Sequence, residues 1–169
     1  MKNKQASIPR KELEKIYLMY SMSKFHDAIK YIKRLNEKFP NQSLLFNLIG
    51  ACYKEIDQLD GAVQMFRIAV SINPKYAEAF FNLGATLQVL DQKDDAVENY
   101  QKAIDITPNY PDAHNNLGNT LLDLGKIDSA IESLEWAVAY KHDFAEAYNN
   151  LGNAYNDSGK PDKAIENFK

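Results

Sequence analysis

A single cysteine, Cys52, stands in the 169 residues, which excludes an internal disulfide and any paired-cysteine metal or redox motif. Set among Ile49, Gly50, Ala51 and Tyr53, it reads as a small buried hydrophobe rather than a reactive thiol. Long apolar runs are missing too. Between Met1 and Tyr20 the charges of Lys11, Glu12, Glu14 and Lys15 interrupt every hydrophobic stretch, so neither a signal peptide nor a membrane span is expected and the cytoplasm is the default location. There is no GxGxxG or GxxxxGK[ST] loop to cradle phosphates. The histidines are His26, His114 and His142, and their spacing is not that of an HExxH metal site. Acidic side chains are spread at about one per helical turn, as solvation asks, instead of being paired as general acid and base would be. No metal, no cofactor and no enzyme activity is therefore expected.

Positive charge is also in short supply where a nucleic-acid binder would need it. The net charge is -3, and phosphate contacts need clustered Lys and Arg. The distribution is uneven: residues 1–42 hold ten basic against four acidic side chains, and residues 43–169 hold ten against nineteen. This polarity serves either solvation of each end or electrostatic docking.

What is present is a repeat. At a shift of 34 residues, Ser43, Ala77, Pro111 and Ala145 align as starting points, and residue types recur in register. Gly50, Gly84, Gly118 and Gly152 fall eighth in each unit, and Ala62, Ala96, Ala130 and Ala164 twentieth. Phe66, Tyr100, Leu134 and Phe168 fall twenty-fourth. A mid-helix glycine costs about 1 kcal/mol against alanine, so its recurrence predicts close approach of a neighbouring helix backbone. Large apolar residues at the fourth, seventh and eleventh places, such as Phe80, Leu83 and Leu87, share one helical face. Asp57, Asp91, Gly125 and Gly159 are fifteenth, where a first helix must stop in a tight turn. Pro74 and Pro108 close the second helix, which proline cannot continue.

These columns resemble the tetratricopeptide repeat (TPR), whose first helix is matched by AEAFFNLGATL, PDAHNNLGNTL and AEAYNNLGNAY. The units are similar to those of bacterial TPR proteins and of O-linked N-acetylglucosamine transferase. The resemblance implies an all-α fold of tandem antiparallel helical hairpins, stacked in a right-handed superhelix (an α-solenoid) with the first helices lining a concave groove. It divides the chain into a tail at 1–8, a degenerate capping repeat at 9–42, repeats at 43–76, 77–110 and 111–144, and a truncated repeat at 145–169. In the capping repeat Ile16 replaces the glycine, and Glu12 and Lys15 replace large apolar residues. In the fourth unit His114 takes the usual aromatic place and His142 the usual proline place, which predicts looser packing or an altered connection. The chain stops inside a second helix, so Leu151, Tyr155, Ile165 and Phe168 are expected to be partly uncovered and the chain to be a fragment of a longer protein.

The family's arrangement implies that places 2, 5, 6, 9, 12 and 13 of each first helix face the groove. Asn82, Asn116 and Asn150 recur at place 6, with Asn47, Phe81, Asn115 and Asn149 at place 5 and Asn119 and Asn153 at place 9. Asparagine is a poor choice for a helix interior, whereas its carboxamide can pair with the amides of an extended peptide. The place-6 set is similar to the asparagine ladder by which O-linked N-acetylglucosamine transferase grips peptide backbone; the alternative is a purely structural use between helices. Around it the lining runs from apolar at Leu44, Ala51, Phe81, Ala85 and Val89 to acidic at Asp112, Asp123, Glu146 and Asp157, which suits a peptide with apolar and basic residues. Glu78, Asp112 and Glu146 stand where a carboxylate-clamp lysine is expected, so acidic chaperone tails are not expected ligands. Trp136 and Ile68, both at place 26, are either an outer contact for a partner or packing against a neighbouring hairpin.

The expected function is a scaffold that binds an extended protein segment, with no nucleic-acid or membrane partner. Two alternatives stand beside it. One is the non-catalytic arm of a glycosyltransferase or sulfotransferase; the other is self-association through an uncapped C-terminal face.

Overall fold

The computed structural model describes residues 7–167, and among them are ten α-helices and no strand. In chain order they are α1 (Arg10–Ser21), α2 (Phe25–Lys38), α3 (Ser43–Glu55), α4 (Leu59–Ile72), α5 (Ala77–Val89), α6 (Lys93–Ile106), α7 (Pro111–Asp123), α8 (Ile127–Tyr140), α9 (Ala145–Asp157) and α10 (Pro161–Asn167). The chain is thus all-α and made of antiparallel hairpins. A helix of 13 residues, as in α3, and one of 14, as in α4, separated by turns too short to do anything but reverse the chain, generate the 34-residue period.

The turn inside each hairpin has one mechanism. Asp57 and Asp91 take φ of 58°, Gly125 of 71° and Gly159 of 73°, a left-handed conformation that ends a helix. The residue after each then sends its backbone N–H back five positions: Gln58 to Tyr53 O, Gln92 to Leu87 O, Lys126 to Leu121 O and Lys160 to Tyr155 O, all at 2.9 Å. These bonds satisfy carbonyls that a helix terminus would leave open. Ser23, with φ 56°, and the Lys24 N–H to Met19 O bond at 2.9 Å repeat the device between α1 and α2, although the surrounding residues depart from the repeat pattern.

The described residues divide into two compact units, one through Ala79 and the other from Phe80. In the first, Ile16, Ile32, Leu45 and Cys52 are fully buried in a cluster with Ala28, Ile29, Leu35 and Ile49. Burial, and then Glu55, push the Cys52 thiol up to about 11, so it stays protonated and inert. Glu12 and Lys15 are absorbed by one aromatic: the Tyr31 hydroxyl donates to Glu12, and Lys15 Nζ lies 4.2 Å from the Tyr31 ring centroid.

The glycine column is explained by side chains more than by backbone. A Cβ on Gly50 would lie 2.6 Å from Phe66 Cε1, one on Gly84 2.9 Å from Tyr100 Cδ1, and one on Gly118 2.5 Å from Leu134 Cγ. The carbonyls of Ala96 and Ala130 are next, at 3.2 and 3.1 Å from the Gly84 and Gly118 positions. The eighth place is therefore empty so that the twenty-fourth side chain of the paired helix can fill it.

In the second unit, Ile131, Leu134, Leu151, Ala154, Tyr155 and Ala164 form one cluster. Leu151 and Tyr155 are thus buried, against the expectation that they lie uncovered, because α8 and α10 close over them. Ile165 is exposed, and Phe168 lies outside the described residues. The fourth hairpin is not loosened either. His114 is buried, its Nε2 2.9 Å from Pro108 O and its ring 5.6 Å from that of Tyr140. α8 ends at Tyr140 and the Phe144 N–H bonds Lys141 O at 3.2 Å, so His142 leaves a connection of the usual length.

Candidate functional site

Helices α5, α7 and α9 present the repeated asparagines of the second unit, and Asn47 lies on α3 in the first. Their surroundings sort by place in the repeat. At place 5, Asn47 and Asn115 are each 1% exposed, so neither is offered to a ligand as the sequence suggested. Asn47 Nδ2 donates to Glu78 Oε1 and to the Tyr76 hydroxyl, both at 3.2 Å. Asn115 Nδ2 donates to Glu146 Oε1 at 3.1 Å. A buried amide bonded to a carboxylate of the next hairpin is a junction. Phe81, at the same place of the intervening unit, makes an aromatic junction instead: it is half-buried, with its ring 5.1 Å from Tyr110 and 5.9 Å from Tyr100. Asn149 at this place is exposed.

At place 6, Asn82, Asn116 and Asn150 are all half-buried. Asn116 Nδ2 donates to the Tyr100 hydroxyl at 3.4 Å, and that hydroxyl donates to Gln88 Oε1 at 2.7 Å. Burial holds the Tyr100 phenol well above its ordinary range, which keeps it a donor. Asn150 Nδ2 donates to Asn115 Oδ1 at 3.0 Å. One N–H of the Asn116 carboxamide and one of the Asn150 carboxamide are thereby tied inward, which fixes the orientation of these two groups. At place 9, Asn119 is half-buried and Asn153 exposed.

Charge on this side of the second unit is acidic. Asp112, Asp123, Glu146 and Asp157 are exposed, and Lys93 Nζ answers Asp123 at 3.6 Å while also pairing with Asp91 at 3.3 Å. Those two carboxylates raise the Lys93 pKa, Asp91 contributing most. Ala85 is half-buried and Val89 exposed, which supplies apolar surface beside the amides. Leu44 and Ala51, half-buried on α3, belong to the first unit.

The place-26 residues also separate. Ile68 is half-buried, whereas Trp136 is 49% exposed and stacks on Tyr140 with ring centroids 5.4 Å apart. Among the described residues no group of three or more His, Cys, Asp or Glu side chains could hold a metal ion. No helix among them is long and apolar enough to cross a membrane.

Hairpins in tandem, joined by repeated side-chain junctions, define a helical-repeat protein of the kind that works through protein contacts. Models of the tetratricopeptide repeat match residues 45–76, and TPR-repeat models match 90–125 and 118–159. The chain belongs to the TPR family. A crystal structure of MamA matches with a TM-score of 0.84 and 27% identity, covering 96% of this chain and 92% of that one. YrrB, described as a TPR protein with an unusual peptide-binding site, matches with a TM-score of 0.78 over 98% of this chain and 84% of its own; at 23% identity that likeness concerns the fold alone. By sequence, 74 residues are 30% identical to cell division cycle protein 27 homolog A of Arabidopsis thaliana, covering 44% of this chain and 10% of that protein. Another 28% identity extends over 57 residues of anaphase-promoting complex subunit 3 of Dictyostelium discoideum, 6% of its length. The chain thus spans a small part of these two relatives.

Proposed function

We propose that the second unit binds an extended peptide of a partner protein along α5, α7 and α9, with Asn82, Asn116 and Asn150 bonding the peptide backbone. The observation that carries this reading is the inward bond made by Asn116 and Asn150. A carboxamide has two N–H donors and an acceptor oxygen; with one donor fixed inside, the rest of the group is pre-oriented, and little rotamer entropy is left to lose on binding. Neighbouring packed helices lie about 8–10 Å apart and an extended chain rises about 3.3 Å per residue, so successive asparagines meet about every third peptide residue. Backbone recognition of this kind tolerates many sequences.

Specificity then comes from the lining. Asp112, Glu146 and Asp157 favour Lys and Arg in the peptide, and Ala85, Val89 and Phe81 favour apolar side chains. Acidic peptides are disfavoured by the same carboxylates. The bound segment is predicted to be apolar and basic, and no cofactor takes part.

A test separates backbone from side-chain recognition. Once a binding peptide has been selected from a random library, two derivatives are titrated against the protein: one with N-methylated backbone amides, and one with its side chains shuffled within the apolar and basic classes. Backbone recognition predicts that methylation abolishes binding while shuffling leaves most of it. Binding that survives methylation and is lost on shuffling would sink the proposal.

A further inference from the structure

A second surface lies away from the asparagines, and it does not rest on them. In the second unit α6 and α8 flank a cleft of about 440 Å³ whose walls include Val97, Ile104, His114, Leu121, Glu132 and Trp136. That is the size of a small ligand pocket. Among its walls is the exposed Trp136, whose ring stacks on that of Tyr140; such aromatic faces attract cations and serve as anchors at protein interfaces.

In the first unit α1 has the complementary surface. Lys11, Lys15, Leu18 and Met22 follow one another at intervals of four, three and four residues, so they form a single stripe along the helix. All four are exposed, with Leu18 at 60% and Met22 at 54%. Arg10 and Glu14 pair with each other at 2.8 Å, and Lys11 and Lys15 outnumber the remaining carboxylate beside them, that of Glu12. The counts for the whole units agree: residues 1–79 hold thirteen basic against eight acidic side chains, and residues 80–169 hold seven lysines and no arginine against fifteen.

We infer that the α1 stripe of one copy of this chain docks into the α6–α8 cleft of a second copy, Leu18 and Met22 entering the cleft and Lys11 and Lys15 meeting Glu132 and the Trp136 face. Both halves of the contact, apolar inserts flanked by lysines and a cleft of mixed apolar and polar lining that carries Glu132 and Trp136, are present in the one sequence. Because the two surfaces differ, the contact is heterologous, and it propagates from copy to copy unless the rotation closes a ring. A pair joined by one such contact retains one open stripe and one open cleft.

Sedimentation velocity of the full chain tests this with two surface variants, Leu18→Glu/Met22→Glu and Trp136→Lys, each first checked for the parent's helicity and melting temperature. The parent is expected to grow in mass with concentration, and to do so less in about 1 M salt, where the Debye length is about 3 Å. Each variant alone is expected to lose chain growth. An equimolar mixture of the two is expected to form a 1:1 pair and stop, since one supplies an intact cleft and the other an intact stripe. A parent that is monomeric at every concentration overturns the proposal. So does a Trp136→Lys variant that associates like the parent, or a mixture that fails to pair.

Discussion

Asn115, buried in α7, donates from Nδ2 to Oε1 of Glu146 at the start of α9, 31 residues on, at 3.1 Å; Asn47 and Glu78 repeat the bond with the same separation at 3.2 Å. The pair links the fifth place of one hairpin to the second place of the next. Its carboxylate end is exposed and its amide end is not.

Removing the amide should therefore cost more than removing the acid. Asn115→Ala leaves Asn150 without its acceptor and opens a small void, an expected loss of about 1–3 kcal/mol. Glu146→Ala leaves a buried donor with Asn116 Oδ1 only, at 3.5 Å, and is expected to cost about 1 kcal/mol. Chemical denaturation of both variants and the double variant gives the coupling, expected between about 0.5 and 3 kcal/mol. Additive losses would show that the bond contributes nothing to holding the hairpins together.

Gly118 and Leu134 make a steric pair that can be tested by compensation. Gly118→Ala forces a Cβ to 2.5 Å from Leu134 Cγ, with an expected overpacking cost of about 1–3 kcal/mol. In a Leu134→Ala background that clash is gone, and alanine's helix propensity, worth about 1 kcal/mol over glycine, should make the same substitution neutral or stabilising. Equal costs in both backgrounds would move the explanation to the Ala130 carbonyl.

His114 should make stability fall in mild acid. Burial lowers its pKa, against a smaller opposing effect of the Pro108 carbonyl. The unfolded histidine, with a pKa of about 6.5, therefore takes up a proton before the folded one does. Stability is full above about pH 6.5 and is lost as pH falls below it towards the lowered value, because the unfolded state binds more protons there. His114→Phe, which restores the aromatic found at this place in Phe46, Phe80 and Tyr148, removes the group. Thermal melts on either side of about pH 6.5 should show a larger decline for the parent than for the variant; parallel declines would assign the acid sensitivity elsewhere.

Much of the fold can be read in the residues because its signals are local. The place of each hairpin turn follows from Asp57, Asp91, Gly125 and Gly159, and periodicity identifies the face that Phe66, Tyr100 and Leu134 bury. The role of Asn47 and Asn115 was not legible. Helical spacing shows which face a residue occupies, but not that Glu78 or Glu146 arrives over that face from the following hairpin. For the same reason the contact of Phe81, a substitution within an asparagine column, with the Tyr110 ring gives no sign in the sequence. Trp136 was visible as an outlier, yet its cleft needs two helices, α6 and α8, brought together over α7.

The most direct test of the peptide-binding account is fluorescence polarisation of library-selected peptides against the parent and an Asn82→Ala/Asn116→Ala/Asn150→Ala variant, compared at equal helicity and melting temperature. The account predicts that the selected peptides are rich in apolar and basic residues and that the variant binds them at least about tenfold more weakly, a loss of about 1.4 kcal/mol or more. Selection of acidic peptides, or equal affinity for parent and variant, would contradict it.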